Sequence, residues 1–92
     1  MTQDQLAAVL KASGAKPGQD GYHVLPDGAT LTLYLASGGV RLDVAKIDAI
    51  KVDGDAVQAR TLKKELFFIS AKDVFGAAVD TSEKQTRRAG FG

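Results

Sequence analysis

The chain contains no cysteine and a single histidine, and these two scarcities remove whole classes of chemistry before any pattern is read. Without thiols there is neither a disulfide framework to reinforce a small core nor a thiolate metal site. One histidine makes no His/Cys cluster for zinc and no Cys-His pair for nucleophilic catalysis. Charge of one sign is also lacking. The 12 Lys and Arg stand against 11 Asp and Glu, for a net charge of +1, and the signs are interleaved along the chain, so there is no global signal for a polyanion. Long apolar runs are missing as well. The start, MTQDQLAAVL, has no basic segment leading into an apolar stretch, so secretion and membrane insertion are not expected and a cytoplasmic protein is. A length of 92 residues with 45% hydrophobic content suits one modest core, with oligomerisation as the available reinforcement.

What is present is organised around Leu31 to Leu42, LTLYLASGGVRL, which reads as a β-hairpin. Leu31, Leu33 and Leu35 share one face of the first strand, and Val40, Leu42 and Val44 share one face of the second. A two-residue type I′ loop at Gly38-Gly39, where glycine takes positive φ without steric cost, sets Leu35 opposite Leu42 and Leu33 opposite Val44 as core pairs. A Ser37-Gly38 loop sets Leu35 opposite Val40 instead. Both registers keep the apolar face, so the pattern leaves the choice open.

Around this hairpin the chain divides into a helix over residues 1–14, a linker with one short strand over 15–29, a β core over 30–79 and a disordered tail over 80–92, with 1–79 forming a single domain. Thr2 and Gln5 have capping-box spacing, Leu6, Val9 and Leu10 make a narrow apolar stripe, and Gly14 stands at the stop position. So short a helix is stable only when docked, and it is expected to cover a barrel end or a sheet face. Tyr22 to Leu25 is the short strand. Asp43 to Val52 fits helix and strand spacing; strand is favoured, and the change of face between Val44 and Ile47 predicts a bulge near Ala45-Lys46. Asp53-Gly54 as a two-residue loop sets Ile50 opposite Val57 and Asp48 opposite Ala59. Ala56 to Leu62 is the next strand and Lys63-Lys64 the next turn. Leu66 to Ile69, LFFI, is expected to be a central strand buried on both faces. Ser70 to Val79 begins as one helical turn or returns as a last strand. The fold class is mostly β (a β-rich α+β chain): an N-terminal helix and about five strands in a small curved sheet or open barrel of SH3- or Sm-like size.

No constellation for catalysis emerges. His23 lies in a short strand without a partner, and Ser37 lacks the G-x-S-x-G context and an adjacent base. Asp53 and Asp55 flank a turn glycine but lack the further ligands of a calcium loop. Asp43, Asp48 and Glu65 fall on different strands. Gly14 to Gly18 follows a helix rather than a strand, the reverse of a phosphate loop. The chain is therefore expected not to be an enzyme and to need no cofactor. Its basic residues Arg41, Lys46, Lys51, Arg60, Lys63, Lys64 and Lys72 fall on strands and turns. Tyr34, on the hairpin's other face, has Arg41 or Asp43 across from it according to register. A surface made by Tyr34, Arg41, Arg60, Lys63 and Lys64 is the expected site for RNA or single-stranded DNA, through base stacking beside a cation. The competing expectation is a protein partner on the same sheet face. Self-association is expected through Leu66 to Val79, whose apolar edge exceeds what so small a chain covers alone.

The stretches LTLYLASGG and LFFISAKDVFGAAV, with a helix ahead of hairpin-linked strands, resemble the Sm-like small β-barrels, including the Hfq-type RNA chaperones. The resemblance implies rings built by the closing strands and RNA as ligand; it is architectural and carries over no RNA-contacting residue. Separately, SGGVRL looks like a fragment of the PilZ signature, which implies a degenerate PilZ-like domain and cyclic-dinucleotide binding.

Overall fold

The computed structural model describes residues 1–81. Helix α1 (Gln3–Ser13) starts in the expected capping box, with Thr2 accepting from the Gln5 amide and the Gln5 side chain accepting from the Thr2 amide. It stops at Gly14, whose left-handed φ of 82° turns its N–H onto the carbonyls of Leu10 and Lys11. Leu6 and Leu10 enter the same buried cluster as Leu31, Leu33, Ile47, Ile50, Val57 and Val74, so the helix docks into the sheet's concave side. The Met1 nitrogen donates to the carbonyls of Ala71 and Val74 and ties the helix's first turn to the last connection of the sheet. Among the described residues no helix is long and apolar enough to cross a membrane.

Seven strands follow: β1 (Lys16–Pro17), β2 (His23–Val24), β3 (Ala29–Ser37), β4 (Val40–Asp53), β5 (Ala56–Thr61), β6 (Leu66–Ser70) and β7 (Val74–Thr81). All pairings are antiparallel. Strand β7 pairs with β3, β3 with β4, β4 with β5 and β5 with β6, while the small β1–β2 ribbon continues the line of β3 beside the far half of β4. The result is a strongly curled antiparallel half-barrel. Strands β3 to β7 form the main sheet; β2 falls within the short strand expected at Tyr22 to Leu25 and pairs with Ala49 and Ile50, while β1, a two-residue piece in the expected linker, pairs with β2.

The central hairpin takes the type I′ register. Gly38 and Gly39 have φ of 58° and 82°, Leu33 faces Val44 and Leu35 faces Leu42. Only the first of those is a core pair: Leu42 is 55% exposed and Val40 67%, because the hairpin's tip runs past the end of the core. The predicted bulge is present. Between the Leu31–Ile47 and Leu33–Val44 pairs β4 carries one extra residue, and Lys46 takes a φ of 62° there. A second irregularity at Asp48 follows at once, where β4 again has an extra residue against β5. Two bulges so close together curl one long strand around the core.

Three expectations are corrected. The β4–β5 loop is Gly54-Asp55, with Asp53 facing Ala56, Val52 facing Val57 and Ile50 facing Ala59. The glycine takes the first loop position with φ of 62°, and this two-residue shift keeps the same apolar face inward. Strand β6, the LFFI run, is not central but lies at an edge. Among the described residues it pairs only with β5, Phe67 and Ile69 turn half-buried toward the core, and Phe68 is 73% exposed. The tail expected from residue 80 is placed too early, since Asp80 and Thr81 belong to β7 opposite Thr30 and Ala29; the rest of that stretch, 82–92, lies outside the described residues. The open alternative at Ser70 to Val79 resolves into both forms in succession, a 3₁₀ turn at Ala71–Asp73 and then β7. Asp55 holds that turn: its carbonyl accepts from the Ala71 amide and its carboxylate from the Lys72 amide.

Candidate binding surface

Because Leu31, Leu33 and Leu35 are buried, alternation turns Thr32, Tyr34 and Ala36 to the convex face. Register places Asp43 of β4 on one side of Tyr34 and Gly76 of β7 on the other. The pairing between β3 and β7 slips next to Tyr34, and the residue set free by that slip is Phe75, 56% exposed. Its ring centroid lies 6.3 Å from that of Tyr34, with the planes tilted by 37°. The Arg41 guanidinium carbon stands 5.5 Å from the Phe75 centroid. Tyr34, Phe75 and Arg41 therefore form one cluster on three strands, with an attraction between guanidinium and ring face worth roughly 0.5–1 kcal/mol at an exposed site.

The other three residues expected to join this surface lie elsewhere. Arg60 faces Ala49, six positions further along β4 than Asp43, or about 20 Å of strand at the usual rise. Its Nε is 3.2 Å from the Asp48 carboxylate, so its charge is matched locally. Lys63 and Lys64 occupy the β5–β6 turn, which is closed by the Thr61 hydroxyl accepting from the amides of Lys63 and Glu65. Lys64 takes the left-handed φ of 67° there. Thus Tyr34 and Arg41 are brought together, and Arg60, Lys63 and Lys64 form a separate group at the far end of the sheet.

Two features were not visible from local patterns. A row crosses the convex face where Lys51 faces Gln58 and Gln58 faces Phe68. The Tyr22 hydroxyl donates to Gln58 at 2.9 Å, and the Lys51 ammonium lies 6.0 Å from the Tyr22 ring. The row joins the expected linker to three strands, and no nearby spacing encodes it. The second feature is a groove of about 380 Å³ between the overhanging hairpin and β6, lined by Val40, Leu42 and Val44 on one side and by Phe67, Phe68 and Ile69 on the other. It runs beside the free edge of β6.

His23 lies in a cleft of about 450 Å³ between α1 and the β1–β2 ribbon, with Asp4 and Lys11 at its rim and Leu10, Pro17 and Val52 beneath. Neither Asp43 nor Asp48 lines it. Among the described residues no group of three His, Asp or Glu side chains is placed to hold a metal ion. No protein-family model, curated protein or solved structure matches the chain, so its class is defined by architecture alone: a small curled antiparallel half-barrel with an N-terminal helix.

Proposed function

We propose that this protein is a non-enzymatic assembly module that joins further copies of itself through the free edges of β6 and β7. The observation that carries the reading is the state of those two strands. Among the described residues each is paired on one side only, and Leu66, Phe68, Phe75 and Val79 on them are exposed. An unpaired strand bearing large apolar side chains is a liability that soluble proteins otherwise blunt with charge, proline or cover. Here the β6 edge is flanked by an apolar groove as well. The two edges end the same sheet, so β6 of one copy and β7 of the next are complementary in backbone hydrogen bonding without any other partner. Such head-to-tail contacts close into a ring or run on as a filament. The Sm-like resemblance of these stretches supports the same reading.

Sedimentation between about 1 and 100 μM, a range that brackets micromolar association, tests it. Concentration-dependent mass at multiples of the chain is expected. A Phe68→Lys, Ser70→Pro double variant, which charges the groove and removes an N–H that faces the open edge at a position whose φ of −86° suits proline, is expected to stay monomeric with an unchanged circular-dichroism spectrum. A native chain that sediments as a monomer at the highest concentration overturns the proposal.

A further inference from the structure

We infer that Tyr34, Phe75 and Arg41 form a stacking site for an unpaired nucleobase and its phosphate. The inference does not require self-assembly, since all three residues belong to one chain and lie on its convex face, although Phe75 also stands on the β7 edge strand invoked for assembly. Two planar rings and a planar cation meet here at 6.3 Å and 5.5 Å, and Phe75 is mostly open to solvent. Their surroundings are low: Ala36 faces Arg41, Ala78 faces Thr32, and Gly76 lies under Tyr34, where an added Cβ would already meet the ring at 3.5 Å. No neighbouring side chain of these stands above the rings, so a flat ligand reaches them unhindered.

The charge at the site points the same way. Among the described residues Arg41 has no ion-pair partner and no hydrogen-bond acceptor; Asp43 is two residues along the same strand and does not pair with it. An unmatched guanidinium laid against an aromatic ring keeps its N–H donors available for a phosphate, which it recognises by two parallel hydrogen bonds. Arg60, by contrast, already faces a carboxylate. A base stacked on an aromatic side chain beside a cation is the recurring means by which proteins hold single strands without reading sequence. Asp43, across from Tyr34 and two residues from Arg41 on the same strand and face, repels a phosphate and so weakens its hold there.

The test titrates the monomeric Phe68→Lys, Ser70→Pro variant, and the native chain beside it, with labelled ten-nucleotide oligo-dT and oligo-U and with UMP. Chemical-shift mapping and anisotropy are read at two salt concentrations. Saturable, salt-weakened binding is expected, with shifts centred on Tyr34, Phe75 and Arg41. Tyr34→Ala and Phe75→Ala should each weaken it about tenfold, Tyr34→Phe should restore it, and Asp43→Asn should tighten it. Arg41→Ala should lower both the affinity and the dependence on salt. Affinity rising with length identifies a strand as the source of the base, and equal affinity for UMP identifies the free nucleotide; both support the site. Absence of saturable binding overturns the inference, as does binding that Tyr34→Ala and Phe75→Ala leave unchanged. Capture of a proline-rich peptide by the same rings, with no nucleotide binding, overturns it in favour of peptide recognition. Binding by the monomeric variant while assembly fails, or the reverse, separates this inference from the assembly proposal.

Discussion

The two halves of β4 carry the same kind of sequence and meet opposite fates. Between Ile47 and Ile50 the strand has β2 or β3 on one side and β5 on the other, and Ile47, Ala49 and Ile50 are wholly buried. Before the bulge it has, among the described residues, β3 on one side only; Val44 next to the bulge still reaches the core, but Val40 and Leu42 face a groove instead. Hydrophobicity and alternation do not distinguish these halves; the number of neighbouring strands does. The buried half holds the fold together, and the overhanging half offers apolar surface that contributes little to the stability of an isolated chain.

The sharpest way to break that comparison is to truncate one inward residue in each half. Ile50→Ala is expected to cost about 2–5 kcal/mol in a denaturant titration, through lost burial and a cavity. A loss below about 1 kcal/mol would mean that the second half of β4 is not the centre of the core. Smaller is the backbone effect at the overhanging tip. Gly39→Val forces a β-branched residue to a φ of 82° and is expected to cost about 1–2 kcal/mol in thermal unfolding, though an added Cβ there meets nothing. Between the halves, Lys46→Gly relieves the left-handed strain at the bulge and is expected to stabilise by about 1 kcal/mol or less. Smallest of all, Leu42→Ser is expected to change the stability of the monomer by no more than about 0.5 kcal/mol, as an exposed substitution. By sedimentation the same change should raise the concentration needed for self-association. If Leu42→Ser instead unfolds the chain, the overhang belongs to the core.

How far such distinctions could be read from sequence depends on whether the deciding contact is local. The bulge at Lys46 was legible because the apolar face changes parity between Val44 and Ile47, and no straight strand allows that. The Gly38-Gly39 loop was one of two allowed registers, since a shift by two leaves the buried face intact. The Gly54-Asp55 loop was missed for the same reason, because Ile50–Val57 and Val52–Val57 pairs look alike in a hydrophobic pattern. LFFI was misplaced because four consecutive apolar residues describe a doubly buried strand and an exposed edge equally well. At the candidate site, Tyr34 and Arg41 were legible from hairpin alternation. Phe75 was not, as its place beside them depends on the pairing of β7 with β3.

That pairing has a consequence for the order in which the molecule folds. The hairpins β3–β4, β4–β5 and β5–β6 each close a short loop, and such contacts form early because little chain entropy is lost. Strand β7 must instead find β3 across the whole core sequence, joining positions as distant as Ala29 and Thr81. Its arrival is the natural late step of folding. Until then the β3 edge is bare, and Tyr34 has neither Phe75 nor Gly76 beside it. A refolding chain thus acquires its hairpins first and its aromatic cluster last. The environment of Tyr34, followed in a stopped-flow experiment on a Tyr22→Phe background, becomes a clock for the closing of the half-barrel.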